Sequence, residues 1–237
     1  VLAAGRGTRM ASSRPKVLHT LGGRSLLDHV LNTAQALDPS QIHVVVGPEN
    51  ESLVEAPTRG ALIWHIQEDR LGTGHAVELA MCAVHEPATV LVLYADMPLV
   101  RVDTLRALCE RAQNNRLVVL TACPSVADGF GRIIRDNTGA VTGIVEEADA
   151  TAKQRAIREV NTGILVAPAK RLGQWLLEIG NDNQQGERYL TDVVAMAVAD
   201  GVDVVAHAVA DPDESLGVND KAQLAAAERA LQRRQAH

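Results

Sequence analysis

The chain has 237 residues, with 23 Lys and Arg against 29 Asp and Glu and therefore a formal net charge of −6. Its length fits one large domain or two small ones, and 46% hydrophobic with 22% charged residues is typical of a folded globular chain. An acidic balance and only 2% aromatic residues argue against a nucleic-acid partner, which basic surfaces and exposed rings usually bind. No apolar run reaches the ~20 residues that cross a bilayer, so we expect no membrane partner either.

The first half of the chain alternates short apolar runs with segments of helical period. The predicted strands are Ile42–Gly47, Ala61–Ile66, Thr89–Tyr94 and Leu117–Thr121, and the predicted helices are Ser25–Leu37, Ala76–Val84 and Val102–Asn114. Strand followed by helix is the βαβ pattern, and right-handed crossovers then give an open doubly wound sheet. We therefore predict an α/β, Rossmann-like fold with a mostly parallel mixed sheet flanked by helices.

The second half has a different pattern. It predicts a β-hairpin of 129–135 and 140–146 around Asp136-Asn137-Thr138-Gly139, a turn signal. The further predicted elements are a strand at Thr162–Val166, helices at Leu172–Ile179 and Tyr189–Asp200, a strand at Val202–Val209 and a terminal helix at Lys221–Gln235. We expect one domain with two lobes, 1–115 and 116–237.

The cysteines and the start of the chain give two further expectations. Cys82, Cys109 and Cys123 are odd in number and lie in apolar stretches, so we predict buried, reduced thiols and a cytoplasmic protein. The chain opens with Val1 and Leu2 and passes quickly into glycines, so we expect it to begin inside its first strand.

The loop after this first strand, Gly5-Arg6-Gly7-Thr8-Arg9-Met10, is followed by Arg14-Pro15-Lys16. Glycines let consecutive N–H groups surround an anion, and Arg9 and Lys16 add positive charge, so the loop is a candidate phosphate site. The alternative is a flexible basic surface loop. The pattern is neither GxxxxGK[ST] nor GxGxxG, which disfavours an ATPase and a dinucleotide-binding enzyme.

Two later strands also end in candidate ligand-binding residues. Gly72-Thr73-Gly74 begins a helix and could bind a polar ligand, or it could be a glycine turn with Thr73 as the N-cap. Asp96 ends a buried strand, so it is a candidate Mg²⁺ ligand, or alternatively a cap for the next segment. Glu146 and Asn161 could hydrogen-bond sugar hydroxyls, and Asn219 could offer a neutral oxygen to a metal, although each could also be a turn or cap residue.

Several motifs together resemble a known family. LAAGRGTRM followed by RPKVLH resembles the signature of sugar nucleotidyltransferases, which have a nucleotidyltransferase (GT-A-like) fold. QEDRLGTGHA, DGFGRI, VTGIVEEADAT, NTGIL and GERYLTD occur in the order found in the uridylyltransferase domain of the bacterial bifunctional GlmU family. That family joins UTP and N-acetylglucosamine 1-phosphate into UDP-N-acetylglucosamine, for peptidoglycan and lipopolysaccharide precursors, and the resemblance covers nearly the whole chain.

The resemblance implies a role for each matching position. Arg9 and Lys16 would bind the triphosphate and stabilise the departing pyrophosphate. The nucleoside would be bound by Leu2, Ala3, Ala4, Gly5, Gln67, Gly72 and Thr73. Gly131, Glu146 and Asn161 would hold the N-acetylglucosamine moiety. The remaining substrate-binding residues would be Tyr94, Ala95, Asp96 and Asn219, of which Asp96 and Asn219 would hold Mg²⁺ as the cofactor.

Two departures from the family pattern affect these expectations. Ala95 stands where the family usually has glycine, and its methyl group could crowd the sugar nucleotide. The hexapeptide repeats of the family's acetyltransferase domain do not occur in the sequence, so we expect that domain to be absent and the chain to be a monomer or weak homo-oligomer.

Other functions stay open on the sequence alone. The chain could be a thymidylyltransferase or a guanylyltransferase of cofactor synthesis, a catalytically silent nucleotide-sugar-binding module, or a folded but inactive fragment. Gln67 and Gly72-Thr73 favour uracil, and the presence of both candidate cations and both candidate metal ligands favours catalysis.

Overall fold

The computed structural model describes residues 1–53 and 62–236. The strands are β1 Leu2–Ala3, β2 Thr20–Leu21, β3 Arg24–Ser25, β4 Ile42–Val46, β5 Leu62–Ile66, β6 Thr89–Val92, β7 Leu117–Ala122, β8 Arg132–Arg135, β9 Val141–Val145, β10 Val160–Pro168 and β11 Val204–Ala208. The α-helices are α1 Leu26–Gln35, α2 Thr73–Met81, α3 Val102–Arg111, α4 Ala152–Arg155, α5 Ala169–Glu178, α6 Asp192–Ala199 and α7 Lys221–Gln235. Ala61, the first residue of one predicted strand, lies outside the described residues.

Contacts divide the chain into two compact units. Unit 1 comprises the described residues of Val1–Arg70, Leu93–Leu105 and Asp211–His237, and unit 2 comprises Leu71–Val92 and Arg106–Ala210. The predicted lobes, 1–115 and 116–237, rest on the change in element pattern along the sequence, and they stay a prediction.

Unit 1 contains a parallel sheet in the order β1-β4-β5. Helix α1 begins where the Ser25 side chain accepts a hydrogen bond from the Asp28 N–H, which satisfies one of the free donors of the first turn. The helix places Leu27 and Leu31 in a hydrophobic cluster with strand residues such as Val44 and Val46. This aliphatic layer supports the strand ends from which the loops of unit 1 emerge.

Unit 2 is built on a mixed sheet in the order β11-β7-β10-β8-β9, with β6 also paired to β10. Strands β7 and β11 are parallel, whereas β10 pairs antiparallel with β6, β7 and β8. The hairpin of β8 and β9 turns at Asp136, whose side chain accepts from the Thr138 and Ala140 N–H groups. The α/β fold with a mixed sheet is confirmed. The described strands are not mostly parallel, because the pairs β1-β4, β4-β5 and β7-β11 are parallel and the other strand pairs are antiparallel.

The prediction of buried cysteines is wrong for two of the three. Cys82 and Cys123 are exposed and Cys109 is half-buried, and all three are free thiols. Cys82 follows the last residue of α2 and Cys123 follows the last residue of β7. Each of these two cysteines belongs to an apolar run that extends past the end of its helix or strand. Beyond that end the side chain no longer packs against the core, so the thiol is exposed.

None of the described helices is long and apolar enough to span a membrane.

Candidate active site

The loop after β1 presents a row of open hydrogen-bond donors. The N–H groups of residues 5–9 make no hydrogen bond to any other described residue. Gly7 has φ of 61°, and a Cβ there would come within 2.5 Å of the Lys16 Cβ, so this position requires glycine in both conformation and space. Consecutive open N–H groups in such a turn form a concave site for an anion such as phosphate.

Lys16 lies beside this loop and its ammonium is held by two oxygen atoms. Its Nζ donates to Asp96 Oδ2 at 2.6 Å and to Asn219 Oδ1 at 3.0 Å. The Lys16 side chain is only 9% exposed and Asp96 19%. The expectation of a surface loop therefore does not fit Lys16, and Asp96 is an ion-pair partner rather than a helix cap.

Backbone hydrogen bonds bring these residues together from distant parts of the sequence. The Leu2 N–H donates to Leu93 O at 2.7 Å and the Ala95 N–H donates to Leu2 O at 2.9 Å, which sets Asp96 beside the end of β1. The Val218 N–H then donates to Asp96 O at 2.8 Å, which places Asn219 next to it. The sequence predicted Asp96 and Asn219 as a pair only from the resemblance, and the structure brings them together.

The oxygen atoms of Asp96 and Asn219 converge on a single cation position, which the Lys16 ammonium fills. A carboxylate and an amide oxygen are hard ligands, and Mg²⁺ usually takes one or two carboxylates and keeps several waters. A pair of such oxygens is therefore a donor set of the kind that Mg²⁺ accepts in proteins.

Three further predicted residues of unit 1 are Arg9, Gln67 and Tyr94. Arg9 is exposed and makes no ion pair with a described residue. Gln67 is 3% exposed at the end of β5, and its N–H donates to Val46 O at 2.8 Å. Tyr94 forms an isolated parallel bridge with Leu2.

The structure explains how alanine is accommodated at position 95. Ala95 is 1% exposed and belongs to the hydrophobic cluster that contains Ala3 and Val46. Its methyl group packs in this core, so the structure does not support the expectation that it crowds the ligand.

In unit 2, the structure brings together the three residues predicted to bind the sugar. The Asn161 N–H donates to Gly131 O at 2.8 Å, and a Cβ at Gly131 would lie 3.2 Å from Glu146 Oε2. The Asn161 side chain accepts from the Gly163 N–H at 3.1 Å. Gly131 is therefore needed for the close approach of the Glu146 carboxylate.

Glu146 is held by a residue to which the sequence analysis assigned no role. The Thr191 hydroxyl donates to Glu146 Oε1 at 2.8 Å. Burial raises the pKa of Glu146 above its ordinary value, the Thr191 hydrogen bond lowers it, and the charges of Asp192 and Asp149 raise it. The only indication of Thr191 in the sequence was its place in the GERYLTD motif. A motif does not show which of its side chains hydrogen-bonds to a carboxylate elsewhere in the chain.

Gly72 and Thr73, also in unit 2, pack against the segment that contains this motif. A Cβ at Gly72 would lie 2.5 Å from Arg188 O, and the Thr73 hydroxyl accepts from the Leu190 N–H at 3.0 Å. Thr73 is the first residue of α2 and Gly72 is the N-cap, so the expectation of Thr73 as N-cap is wrong. Their role in uracil binding stays a prediction.

Unit 1 holds open N–H groups suited to an anion and a fixed cation beside two oxygen atoms. These are groups that a nucleotidyltransferase would use, and the relatives of the chain are of that class.

The chain belongs to the MobA-like NTP transferase domain family, which it matches over residues 1–167. It is 56% identical over 236 residues to the bifunctional protein GlmU of Alkalilimnicola ehrlichii and 49% identical over 236 residues to that of Neisseria gonorrhoeae. These alignments cover 100% of this chain and 51% of each relative, so the chain spans about half the length of the curated relatives it matches. The resemblance to GlmU is therefore confirmed.

A solved structure shows the same fold. A UDP-glucose pyrophosphorylase complexed with UDP-glucose superimposes with a TM-score of 0.77 at 16% identity, over 98% of this chain and 97% of that one. At this identity the likeness shows the fold alone.

Proposed function

We propose that the chain transfers UMP from UTP to N-acetylglucosamine 1-phosphate, with Mg²⁺, and releases pyrophosphate and UDP-N-acetylglucosamine. The observation that carries the proposal is the convergence of Lys16, Asp96 and Asn219 beside a loop of open N–H groups. The identity of 56% to a GlmU protein supports uridine and N-acetylglucosamine as the two substrates.

On the nucleotide side, unit 1 supplies charge neutralisation. The open N–H groups of residues 5–9 would bind the triphosphate oxygens, and the Lys16 ammonium and the exposed Arg9 would add positive charge. Charge develops on the departing pyrophosphate, so donors fixed in advance lower the barrier. The local cations matter because the whole chain carries a net charge of −6, which repels anionic substrates.

Asp96 and Asn219 would hold Mg²⁺, which when bound would neutralise phosphate charge and orient the reacting groups. The same two oxygens bind the Lys16 ammonium in the structure. Lys16 therefore holds these two side chains side by side.

On the sugar side, unit 2 supplies hydrogen-bonding groups. Glu146 would accept from sugar hydroxyls as a carboxylate, and the Asn161 side chain would add a further polar contact. Gly131 leaves the space that a side chain would fill beside Glu146. These residues would orient the sugar 1-phosphate for attack.

The reaction needs no general base. A phosphate oxygen of the sugar 1-phosphate attacks the α-phosphorus of UTP, a new P–O bond forms, and the bond to the β-phosphate oxygen breaks in line. A phosphate monoester has a second pKa of about 6 and is already ionised at neutral pH, so no proton has to be removed. Binding, orientation and charge neutralisation are then the work of the protein.

Pyrophosphate release over a grid of nucleoside triphosphates and sugar 1-phosphates, with and without Mg²⁺, tests the proposal. We expect release with UTP and N-acetylglucosamine 1-phosphate in the presence of Mg²⁺. A preference for dTTP or GTP would indicate a related transferase, and binding without release would indicate a silent binding module. Either result would contradict the proposed function.

A further inference from the structure

Arg70 binds the backbone of the predicted phosphate loop. Its Nε donates to Ala4 O at 2.7 Å, and its guanidinium also pairs with Glu49 Oε2. The Arg70 side chain is 22% exposed and the Glu49 side chain 43%. No role was assigned to Arg70 from the sequence, because a charged residue beside Glu68 and Asp69 in a loop has the pattern of an ordinary surface segment.

The hydrogen bond to Ala4 O fixes the orientation of the next N–H group. The Ala4–Gly5 peptide is trans, so its C=O and the Gly5 N–H point in opposite directions. With the carbonyl held toward Arg70, the Gly5 N–H is directed away from Arg70. Gly5 begins the run of open donors, and a Cβ built on it would lie 3.7 Å from Lys16 Nζ.

The surroundings of Arg70 show that this contact needs a specific local geometry. A Cβ at Gly47 would collide with the Arg70 guanidinium and would lie 2.8 and 2.9 Å from the two Glu49 oxygens. Gly47 directly follows β4, and Arg70 lies four residues beyond the end of β5. Arg70 therefore donates to the residue that follows β1 and lies against the residue that follows β4.

We propose that Arg70 is a positioning residue for phosphate binding, which acts by holding the Ala4–Gly5 peptide so that the Gly5 N–H faces the bound phosphate. This rests on the proposed function, in which the open N–H groups bind the triphosphate. Arg70 acts through its Nε donor rather than through its charge, because Glu49 pairs with the guanidinium.

Two substitutions separate the donor from the charge. In Arg70→Gln the amide nitrogen stands at the same bond distance from Cα as Nε, so it can still donate to Ala4 O without a charge. In Arg70→Met the side chain is about as long as that of glutamine but carries no hydrogen-bond donor. Arg70→Ala is a second variant without a donor, for use if the Met variant does not fold. Arg24→Met is the matched control, because Arg24 is an exposed arginine of unit 1 outside the loop.

Affinity for inorganic pyrophosphate, measured by calorimetry on the whole chain, is the first readout. We expect Arg70→Met and Arg70→Ala to lose about tenfold or more, the scale of one hydrogen bond to a charged group. Arg70→Gln should stay within about threefold of the wild type, since a partly exposed ion pair contributes little. With UTP as substrate, the Met variant should raise the KM for UTP and leave the KM for the sugar 1-phosphate unchanged.

Equal losses in the Gln and Met variants would show that the charge matters, and would overturn the positioning role. Unchanged affinity in the Met and Ala variants would overturn it as well. A wild-type chain that binds pyrophosphate but transfers no UMP would contradict the proposed function alone, and the variants would still test Arg70 on pyrophosphate. A wild-type chain that binds no pyrophosphate would overturn both.

Discussion

At the scale of single residues, a buried lysine and its two oxygen partners lie beside the loop of open donors. Lys16 is 9% exposed and is neutralised by Asp96, with Asn219 as a further acceptor. Burying an ammonium is costly unless it is paired and hydrogen-bonded, and this arrangement meets both conditions. The pair therefore keeps a cation beside the loop of open donors.

We predict that Asp96→Asn removes most of the Mg²⁺-dependent activity, while the amide oxygen still accepts from the Lys16 ammonium and the chain stays folded. The amide removes the anionic metal ligand, and the loss in kcat should be about 10²-fold or more, as when one transition-state donor is removed. Steady-state kinetics with a Mg²⁺ titration measures it, beside circular dichroism. The control is Asp103→Asn, whose carboxyl is 75% exposed. Near wild-type turnover in Asp96→Asn would contradict the metal assignment.

Glu146 predicts a pH dependence for binding of the sugar 1-phosphate. Burial holds the pKa of Glu146 above its ordinary value, so on acidification the carboxylate is lost at a higher pH than in an ordinary glutamate. The KM for the sugar 1-phosphate should therefore rise as the pH falls toward the raised pKa. The contribution of Glu146 to the free energy of unfolding increases as the pH falls, because the folded protein binds this proton more tightly than the unfolded chain.

A variant of Thr191 tests this dependence. The Thr191 hydrogen bond lowers the pKa of Glu146, so Thr191→Val should raise that pKa further and move the rise in KM to higher pH. Thr191→Ser keeps a hydroxyl and is the matched control. A pH profile of KM that is the same in the Val variant and the wild type would exclude this role for Thr191.

At the scale of elements, strand β8 carries one buried and one exposed arginine. Arg132 is 1% exposed, pairs with Glu147 at 2.8 Å, and donates to Phe130 O and to Arg155 O. Arg135, on the same strand, pairs with Glu159 at 2.7 Å near the surface. Arg132 thus contacts Phe130, which precedes β8, and Glu147, which follows β9. It therefore links the two ends of the β8–β9 hairpin.

Substituting the two arginines compares these environments. We predict that Arg132→Met lowers the free energy of unfolding by ~3 kcal/mol, because it removes one partner of a largely buried ion pair and leaves backbone carbonyls without a donor. Arg135→Met should cost less than about 1 kcal/mol, as for surface pairs. Denaturant unfolding measures both, and equal costs would show that burial is not what makes Arg132 important.

At the scale of the whole molecule, burial is set by tertiary contacts rather than by local composition. The three cysteines lie in similarly apolar stretches, yet only Cys109 is partly covered. Burial and the neighbouring Glu110 raise the pKa of the Cys109 thiol, which lowers its thiolate fraction. A cytoplasmic location and a monomeric or weakly oligomeric state stay predictions.

We predict that a thiol reagent labels Cys82 and Cys123 rapidly in the native protein and Cys109 slowly. Exposure gives the reagent access, and the thiolate is the reacting form, so both factors slow Cys109. Mass spectrometry of the labelled chain over time identifies each site, and Cys82→Ser controls for its contribution. Labelling of Cys109 at the same rate as the others would contradict the prediction.

The sequence by itself determined most of the regular elements and the family. Apolar runs and helical periods depend on residues close together in the chain, so elements such as α3 and β4 were predicted to within a few residues. Short segments such as β2, β3 and α4 were missed, because two to four residues carry too little periodicity.

Only the tertiary structure decided which side chains meet. Lys16 and Asn219 are 203 positions apart, and Glu146 and Thr191 are 45 apart, so no local pattern could join them. The same holds for Arg70, which lies 66 positions along the chain from the Ala4 carbonyl that it contacts. The sequence predicted which residues could bind phosphate and sugar, but the tertiary structure determined which side chains contact them. Hydrogen bonds form between atoms a few ångströms apart in space, whatever their separation along the chain.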